Sequence, residues 1–173
     1  HRPTAMAMAF DGKSVVIGTQ DGAIVMRDLS NETTWTRPNW MQRVTCVAAA
    51  ARTPVVAVGG VLASGANGRS GVLVLDLVKG ATTSTIFPQQ GNITSVALAP
   101  NGTRLFVGLS YGAVEVWNLE RNEKVDVRGG GIENRGTIDN SAVKGLAVSP
   151  DNRYVAAGTT NGALTVWNLR LEP

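Results

Sequence analysis

The chain is 173 residues long, with 43% hydrophobic residues, 17% charged residues and a formal net charge of +3. This length suffices for one domain with a substantial core, and the sequence has no run of about 18 apolar residues that predicts a membrane-spanning helix. A single cysteine, Cys46, excludes an internal disulfide and a cysteine-based zinc site, and we expect it to be a small buried apolar residue.

The chain has one histidine, at position 1. Ser-His-Asp and Cys-His catalysis need an internal histidine to move protons, and metal sites usually need several histidines or cysteines. The carboxylates are spread through predicted turns and strand ends, where we expect them to accept hydrogen bonds. We therefore predict that the protein is not an enzyme and uses no metal, cofactor or small-molecule substrate.

Three segments of the chain repeat one another closely. They are AFDGKSVVIGTQDGAIVMRDL (9–29), APNGTRLFVGLSYGAVEVWNL (99–119) and SPDNRYVAAGTTNGALTVWNL (149–169). A degenerate copy lies between the first two, with VTCVAAAARTPVVAVGG at 44–60 and GVLVLDL at 71–77. A repeat of about 40–50 residues is typical of propeller blades, which are small sheets that bury their faces only by stacking on neighbours.

Each copy predicts three strands joined by tight turns. The first copy opens with the strand AMAMAF and has its turns at Asp11-Gly12 and Asp21-Gly22, with glycine where a positive φ is needed. Later strands are predicted at 93–99, 103–109, 112–119, 143–149, 153–159 and 162–169. Poorer fourth strands, rich in threonine and valine, are predicted at 33–37, 82–87 and 124–128. The predicted blades cover approximately 4–37, 43–87, 92–128 and 142–170 of a single domain, 1–173.

The inner strands of these copies are nearly continuous apolar runs. Such runs predict sheets that are buried on both faces, as in a blade between two other blades. No segment shows helical periodicity, so we predict an all-β chain. Glycine recurs at one position of the second strand, where we expect neighbouring backbones to approach closely. These glycines are Gly18, Gly59, Gly108 and Gly158.

Two copies end in the pattern V-x-V-W-N-L, at 114–119 and 164–169, after a Tyr-Gly or Asn-Gly turn. In this pattern the chain resembles the WD-repeat (WD40-type) β-propeller family, and the resemblance covers essentially the whole chain in four copies. The degenerate copies end in VMRDL and VLVLDL, with Arg27 and Leu75 at the tryptophan position. The resemblance implies an all-β propeller, and seven blades are usual in this family.

The chain also departs from the family pattern. Many family repeats carry a Gly-His pair whose histidine bonds a turn aspartate, a strand hydroxyl and the tryptophan. Here Asp21 and Asn161 occupy the turn position, but the histidine is missing. We therefore expect blade rigidity to come from packing and hairpin pairing, without such a buried polar network.

Four blades are fewer than the family usually has, and the sequence stops after a third strand, GALTVWNL. We expect the last blade to lack its outer strand and to leave Thr165 and Trp167 on an exposed apolar edge. We expect the chain to be part of a ring of seven or eight blades. The missing blades belong either to a longer polypeptide or to another chain, identical or different, and a compact four-bladed ring is the third possibility.

Three irregular segments are expected on one rim of the propeller, at 37–43, 60–71 and 128–141. Extended loops on one side of a rigid scaffold are where recognition usually takes place. Tryptophan beside arginine is also the commonest composition of binding hot spots. The candidate partner-binding residues are Arg37, Trp40, Arg43, Arg69, Tyr111 and Arg135.

The leading functional hypothesis is a protein–protein interaction scaffold. It binds partners through these rim loops and open blade ends, as a subunit or portion of a larger complex. The partners include chains that complete the propeller. The alternative is a propeller that binds RNA or other nucleic acid on the same basic and aromatic rim. A methyl-lysine reader is less favoured, because only two rim aromatic residues are evident. No signal peptide is seen, so an intracellular location in the cytoplasm or nucleus is expected.

Overall fold

The computed structural model describes residues 2–37, 40–63, 68–129 and 141–169. Over these ranges the secondary structure is entirely β, with fifteen strands in four antiparallel sheets, here called blades 1 to 4. Blade 1 contains β1 (Pro3–Met8), β2 (Ser14–Thr19), β3 (Ile24–Asp28) and β4 (Thr34–Arg37). Blade 2 contains β5 (Met41–Ala49), β6 (Val55–Leu62), β7 (Ser70–Asp76) and β8 (Ala81–Ile86). Blade 3 contains β9 (Ile93–Leu98), β10 (Arg104–Leu109), β11 (Ala113–Asn118) and β12 (Glu123–Gly129). Blade 4 contains β13 (Val143–Val148), β14 (Tyr154–Thr159) and β15 (Leu164–Asn168).

Each blade is a meander in which strands pair in chain order. The predictions of an all-β chain and of a four-blade propeller arrangement are therefore confirmed. In the part of blade 4 that is described, three strands are present. The predicted absence of a fourth strand concerns residues beyond 169, which lie outside the described residues, and so remains a prediction.

The tight turns have the predicted backbone geometry. Gly22 and Gly112 have φ angles of 81° and 87°, a region that favours glycine because other residues place Cβ against the backbone there. At Gly22 a Cβ atom would also lie only 1.9 Å from the carbonyl oxygen of Met41 in the next blade. This turn is therefore part of the contact between blades 1 and 2 as well as the end of a hairpin.

Three hydrophobic clusters hold the blades together, one at each junction. The first joins Val16 and Ile24 of blade 1 to the inner strands of blade 2. The second joins blade 2 to blade 3, and the third joins Phe106 of blade 3 to Val143 and Trp167 of blade 4. The inner strands of blade 3 are buried on both faces, in agreement with their continuous apolar sequence.

The repeated glycine marks a close approach between neighbouring blades. A Cβ atom at Gly18 would lie 2.2 Å from Val44 of blade 2, and one at Gly108 would lie 2.7 Å from Val143 of blade 4. Gly59 is similarly close to Ile93 of blade 3. The predicted close approach is therefore confirmed at these three positions. It is wrong at Gly158, where no described atom lies within 4 Å of a Cβ position.

The expectation that Trp167 is exposed on β15 is also wrong. Trp167 is only 8% exposed, because its side chain packs against blade 3. Leu164 and Val166 point the other way and are 73% and 56% exposed. Side chains alternate between the two faces of a strand, so the apolar surface lies on the face opposite Trp167.

Candidate functional site

The connection between blades 1 and 2 is shorter than the predicted loop 37–43. Strand β4 extends to Arg37, which pairs with Ile24, and β5 begins at Met41. Arg43 lies within β5 opposite Val61 and is exposed. The prediction of an irregular rim segment is therefore wrong at both ends, because backbone pairing continues into it.

Trp40 and Arg37, two of the predicted site residues, are brought together. The guanidinium carbon of Arg37 lies 5.6 Å from the ring centroid of Trp40 and 5.5 Å from that of Trp35. Both distances are within the range of cation–π attraction. Trp40 is half-buried against the cluster between blades 1 and 2, so one part of its ring stabilises that junction.

Arg37 also bridges the two blades by a hydrogen bond. Its Nη2 donates to the carbonyl oxygen of Gly80 at 2.8 Å, across 43 residues of sequence. Gly80 belongs to the turn between β7 and β8. The side chain of Arg37 is therefore fixed toward the periphery of blade 2.

The other predicted site residues make separate contacts. Arg69 is exposed, and its guanidinium carbon lies 4.4 Å from the ring centroid of Phe87. Tyr111 lies in the turn between β10 and β11 and is half-buried against the cluster between blades 2 and 3. Desolvation, followed by the charge of Glu115, raises the pKa of the Tyr111 hydroxyl. Arg135 lies outside the described residues.

A cleft of about 580 Å³ separates the outer strand of blade 1 from the β7–β8 turn of blade 2. Its walls combine apolar and cationic side chains, which include Met26, Trp35, Arg37, Leu77, Val78 and Lys79. Val78 is 75% exposed at the tip of the turn. Sequence reasoning missed this cleft, because it did not consider the turn between β7 and β8.

Blade 3 contains a buried polar network that we did not expect. Glu115 is fully buried in β11, and its Oε2 accepts a hydrogen bond from the indole nitrogen of Trp117 at 3.0 Å. Its Oε1 accepts from the backbone N–H of Gln89 at 3.3 Å and lies 3.9 Å from Nζ of Lys124. Glu115 therefore departs from the expectation that the carboxylates accept hydrogen bonds in turns, and its network differs from the histidine network of the family pattern.

The described residues contain no cluster of three histidine, cysteine or carboxylate side chains with the geometry to hold a metal ion. Burial raises the pKa of the Cys46 thiol from its ordinary value of 9.0 to about 11. In the same described ranges, no helix is long and apolar enough to cross a membrane.

Comparison with known proteins identifies the repeat. The family model for the WD domain, G-beta repeat, matches residues 81–118 and 133–168. The first match spans β8 to β11, and the second includes the three strands of blade 4. No curated protein matches the chain. Both matches fall on the copies that end in V-W-N-L, and the four blades follow one another as in a propeller, so these findings support a WD-repeat β-propeller family for the chain.

Proposed function

We propose that this protein is a non-catalytic scaffold that binds other proteins through its rim loops and the outward faces of blades 1 and 4. WD-repeat propellers generally act as protein-interaction scaffolds and are generally non-catalytic. The proposal rests mainly on the glycine that recurs in the second strand of every blade, because its surroundings differ between blades 1 to 3 and blade 4. At Gly18, Gly59 and Gly108 a side chain of the next blade lies close to the Cβ position. At Gly158 no described atom lies within 4 Å of it.

A repeated hydroxyl contact supports the same interpretation. Thr4 Oγ1 in β1 lies within hydrogen-bond distance of the carbonyl oxygens of Gly18 in its own blade and Val44 in the next, at 3.1 and 2.8 Å. Thr45 forms the same bridge from Gly59 to Ile93. The junctions of blade 1 with blade 2 and of blade 2 with blade 3 therefore share a close glycine contact and a hydroxyl bridge, whereas Thr94 at the next junction donates to Gly108 of its own blade. In blade 4 the corresponding residue to Thr4 and Thr45 is Lys144, which is exposed.

The opposite end of the array presents a second apolar face. Leu146 and Leu169 of blade 4 pack against blade 3. The residues at the corresponding positions of blade 1 are Met6 and Leu29, which are 66% and 54% exposed. Side chains that are covered at an internal junction are therefore open to solvent at this end. Exposed apolar faces of this kind generally mark interaction sites.

We infer that both faces are covered by further blades in a ring of seven or eight, as part of a larger complex. Those blades come from other residues of a longer polypeptide or from a second chain. The expected location is intracellular, and it remains a prediction.

The experiment measures the solution mass of the purified chain by light scattering at micromolar concentration. In the purified chain the open faces can meet only those of other copies, so the proposal predicts an assembly heavier than one chain. A double substitution of Leu164→Glu and Val166→Glu should return it to one chain, because a charge cannot be buried unpaired at a blade junction. The matched control is Val125→Glu at an exposed position of β12, which should leave the mass unchanged. A stable single chain at every concentration would contradict binding through the open faces.

Nucleic-acid binding is the second candidate, favoured by the net charge of +3 and by the arginine–tryptophan contacts. Two observations weigh against it. Trp40 and Tyr111 are both half-buried against hydrophobic clusters, which leaves less ring surface for base stacking. Affinity for a single-stranded RNA that falls steeply with salt would favour this candidate over the scaffold.

A further inference from the structure

The outer strand of blade 1 has an open edge. Among the described strands, β4 pairs with β3 alone. Thr34 and Thr36 are exposed on it. An edge strand presents backbone N–H and C=O groups that can pair with an extended segment of another protein.

Arg37, at the end of this edge, is a preorganised cation. Two tryptophan rings and the Gly80 carbonyl fix its position. A guanidinium has five N–H donors in a planar fork that matches a carboxylate. No described carboxylate forms an ion pair with Arg37, so the fork retains donors for a ligand.

The other two described outer strands, β8 and β12, have no cation without a carboxylate partner at the corresponding position. The cross-strand pairings place Ile86 of β8 and Arg128 of β12 at the position of Arg37. Ile86 is an apolar residue buried in the core. Arg128 forms an ion pair with Asp126 at 2.5 Å. Of the three outer strands described, only β4 therefore ends in a cation without a carboxylate partner.

The cleft beside β4 is lined partly by apolar side chains. Met26, Trp35 and Leu77 are half-buried along it, and Val78 projects from its far wall. Lys79 adds a second exposed cation, which lies 3.4 Å from Asp76. The cleft therefore combines a hydrophobic floor with positive charge at its margins.

We propose that this cleft, together with the edge of β4, docks an extended acidic segment of a partner protein. The segment pairs its backbone with β4, places a carboxylate on Arg37 and inserts an apolar side chain between Trp35 and Val78. This proposal rests on the proposed scaffold function and names one of its binding sites. An extended peptide is favoured over a nucleic acid because the site offers a strand edge and an apolar floor as well as charge.

The test uses fluorescence anisotropy with a labelled peptide of about eight residues, alternating threonine and valine around a central glutamate. Two matched peptides replace the glutamate with glutamine or with lysine. The glutamate peptide should bind at least about tenfold more tightly than the lysine peptide. Arg37→Glu should reverse this order, and Arg37→Lys should weaken binding of the glutamate peptide, because an ammonium lacks the planar fork.

The charge-matched control is Arg121→Glu, in the exposed turn between β11 and β12. It should bind all three peptides as the unsubstituted chain does. Circular dichroism should show that both charge-reversed variants retain the β-sheet spectrum. Hydrogen exchange should show new protection of the amides of residues 34–37 when the glutamate peptide binds.

Several outcomes would overturn the proposal. These are equal affinity for the glutamate and lysine peptides, equal effects of Arg37→Glu and Arg121→Glu, or no new amide protection in β4. Tighter binding of a single-stranded RNA than of the glutamate peptide, lost in Arg37→Glu, would assign the cleft to nucleic acid instead. The peptide assay is independent of the solution mass, so failure here leaves the scaffold proposal to its own test.

Discussion

Trp117 donates its indole N–H to the carboxylate of Glu115 two residues earlier on the same face of β11. The carboxylate is fully buried and also accepts from the Gln89 backbone, which lies in the connection between blades 2 and 3. Lys124 on the neighbouring strand supplies a cation at 3.9 Å. A buried carboxylate with these partners links the tryptophan, the outer strand and the blade junction in one network.

Replacing Glu115 with alanine should lower the free energy of unfolding by about 3 kcal/mol, because a Trp117 N–H and the Lys124 ammonium lose their acceptor. Urea unfolding followed by tryptophan fluorescence measures this. Glu123→Ala is the matched control, since the Glu123 side chain is exposed and, among the described residues, forms an ion pair with exposed Arg121 alone. Equal effects of the two substitutions would mean that the network contributes nothing.

Gly108→Ala and Gly158→Ala should differ sharply although their sequence contexts are alike. The new methyl group at position 108 would lie 2.3 Å from Ser95 Oγ and 2.7 Å from Val143. Overpacking of this kind costs about 1–3 kcal/mol. At position 158 no described atom is near, so in the single, unassembled chain the free energy of unfolding should change by less than about 0.5 kcal/mol. Unfolding curves with matching midpoints would argue against the close approach of blades 3 and 4.

Cys46 should be nearly inert in the folded chain. Its raised pKa of about 11 leaves about a hundredfold less thiolate at pH 8 than the ordinary value of 9.0 would. Reaction with a chromogenic disulfide should therefore be at least about a hundredfold slower in buffer than in denaturant. Cys46→Ser, which has no thiol, gives the background. A native rate equal to the denatured rate would show that the thiol is accessible.

The same shift has a consequence for stability at alkaline pH. Between pH 9.0 and about 11 the folded chain keeps the Cys46 proton while the unfolded chain loses it. Ionisation then favours the unfolded state, so this contribution lowers stability as pH rises through that window. Cys46→Ser should remove it, so the unfolding midpoint of the unsubstituted chain should fall relative to that of the Cys46→Ser chain between pH 8 and pH 10. A constant difference would contradict the shifted pKa.

The repeat allowed the blades to be predicted because each blade is built from local hairpins. Gly112 indicates a turn and the V-W-N-L ending indicates a strand, and neither prediction depends on residues far away in the sequence. The β9 strand was predicted at 93–99 and spans Ile93–Leu98 in the structure. Such agreement is expected where propensity, turn chemistry and apolar pattern favour the same structure.

Contacts between blades were less predictable. Gly108 and Gly158 have similar sequence contexts. Only Gly108 has a described residue of the next blade close to its Cβ position, because that contact depends on which blade follows. The contact of Arg37 with Gly80 spans 43 residues and leaves no local pattern. Glu115 did have a signal, since it is a charge within an apolar strand two residues from Trp117, on the same face.

The most direct test of the open blade face is Gly158→Val. This substitution places at Gly158, where no described atom lies within 4 Å of a Cβ position, the kind of side chain that Val143 supplies to Gly108. The substituted chain should keep the circular dichroism spectrum of the unsubstituted chain but should no longer form the assembly. Light scattering should then give the mass of one chain. An assembly of unchanged mass in the Gly158→Val chain would contradict the claim that another blade docks on this face.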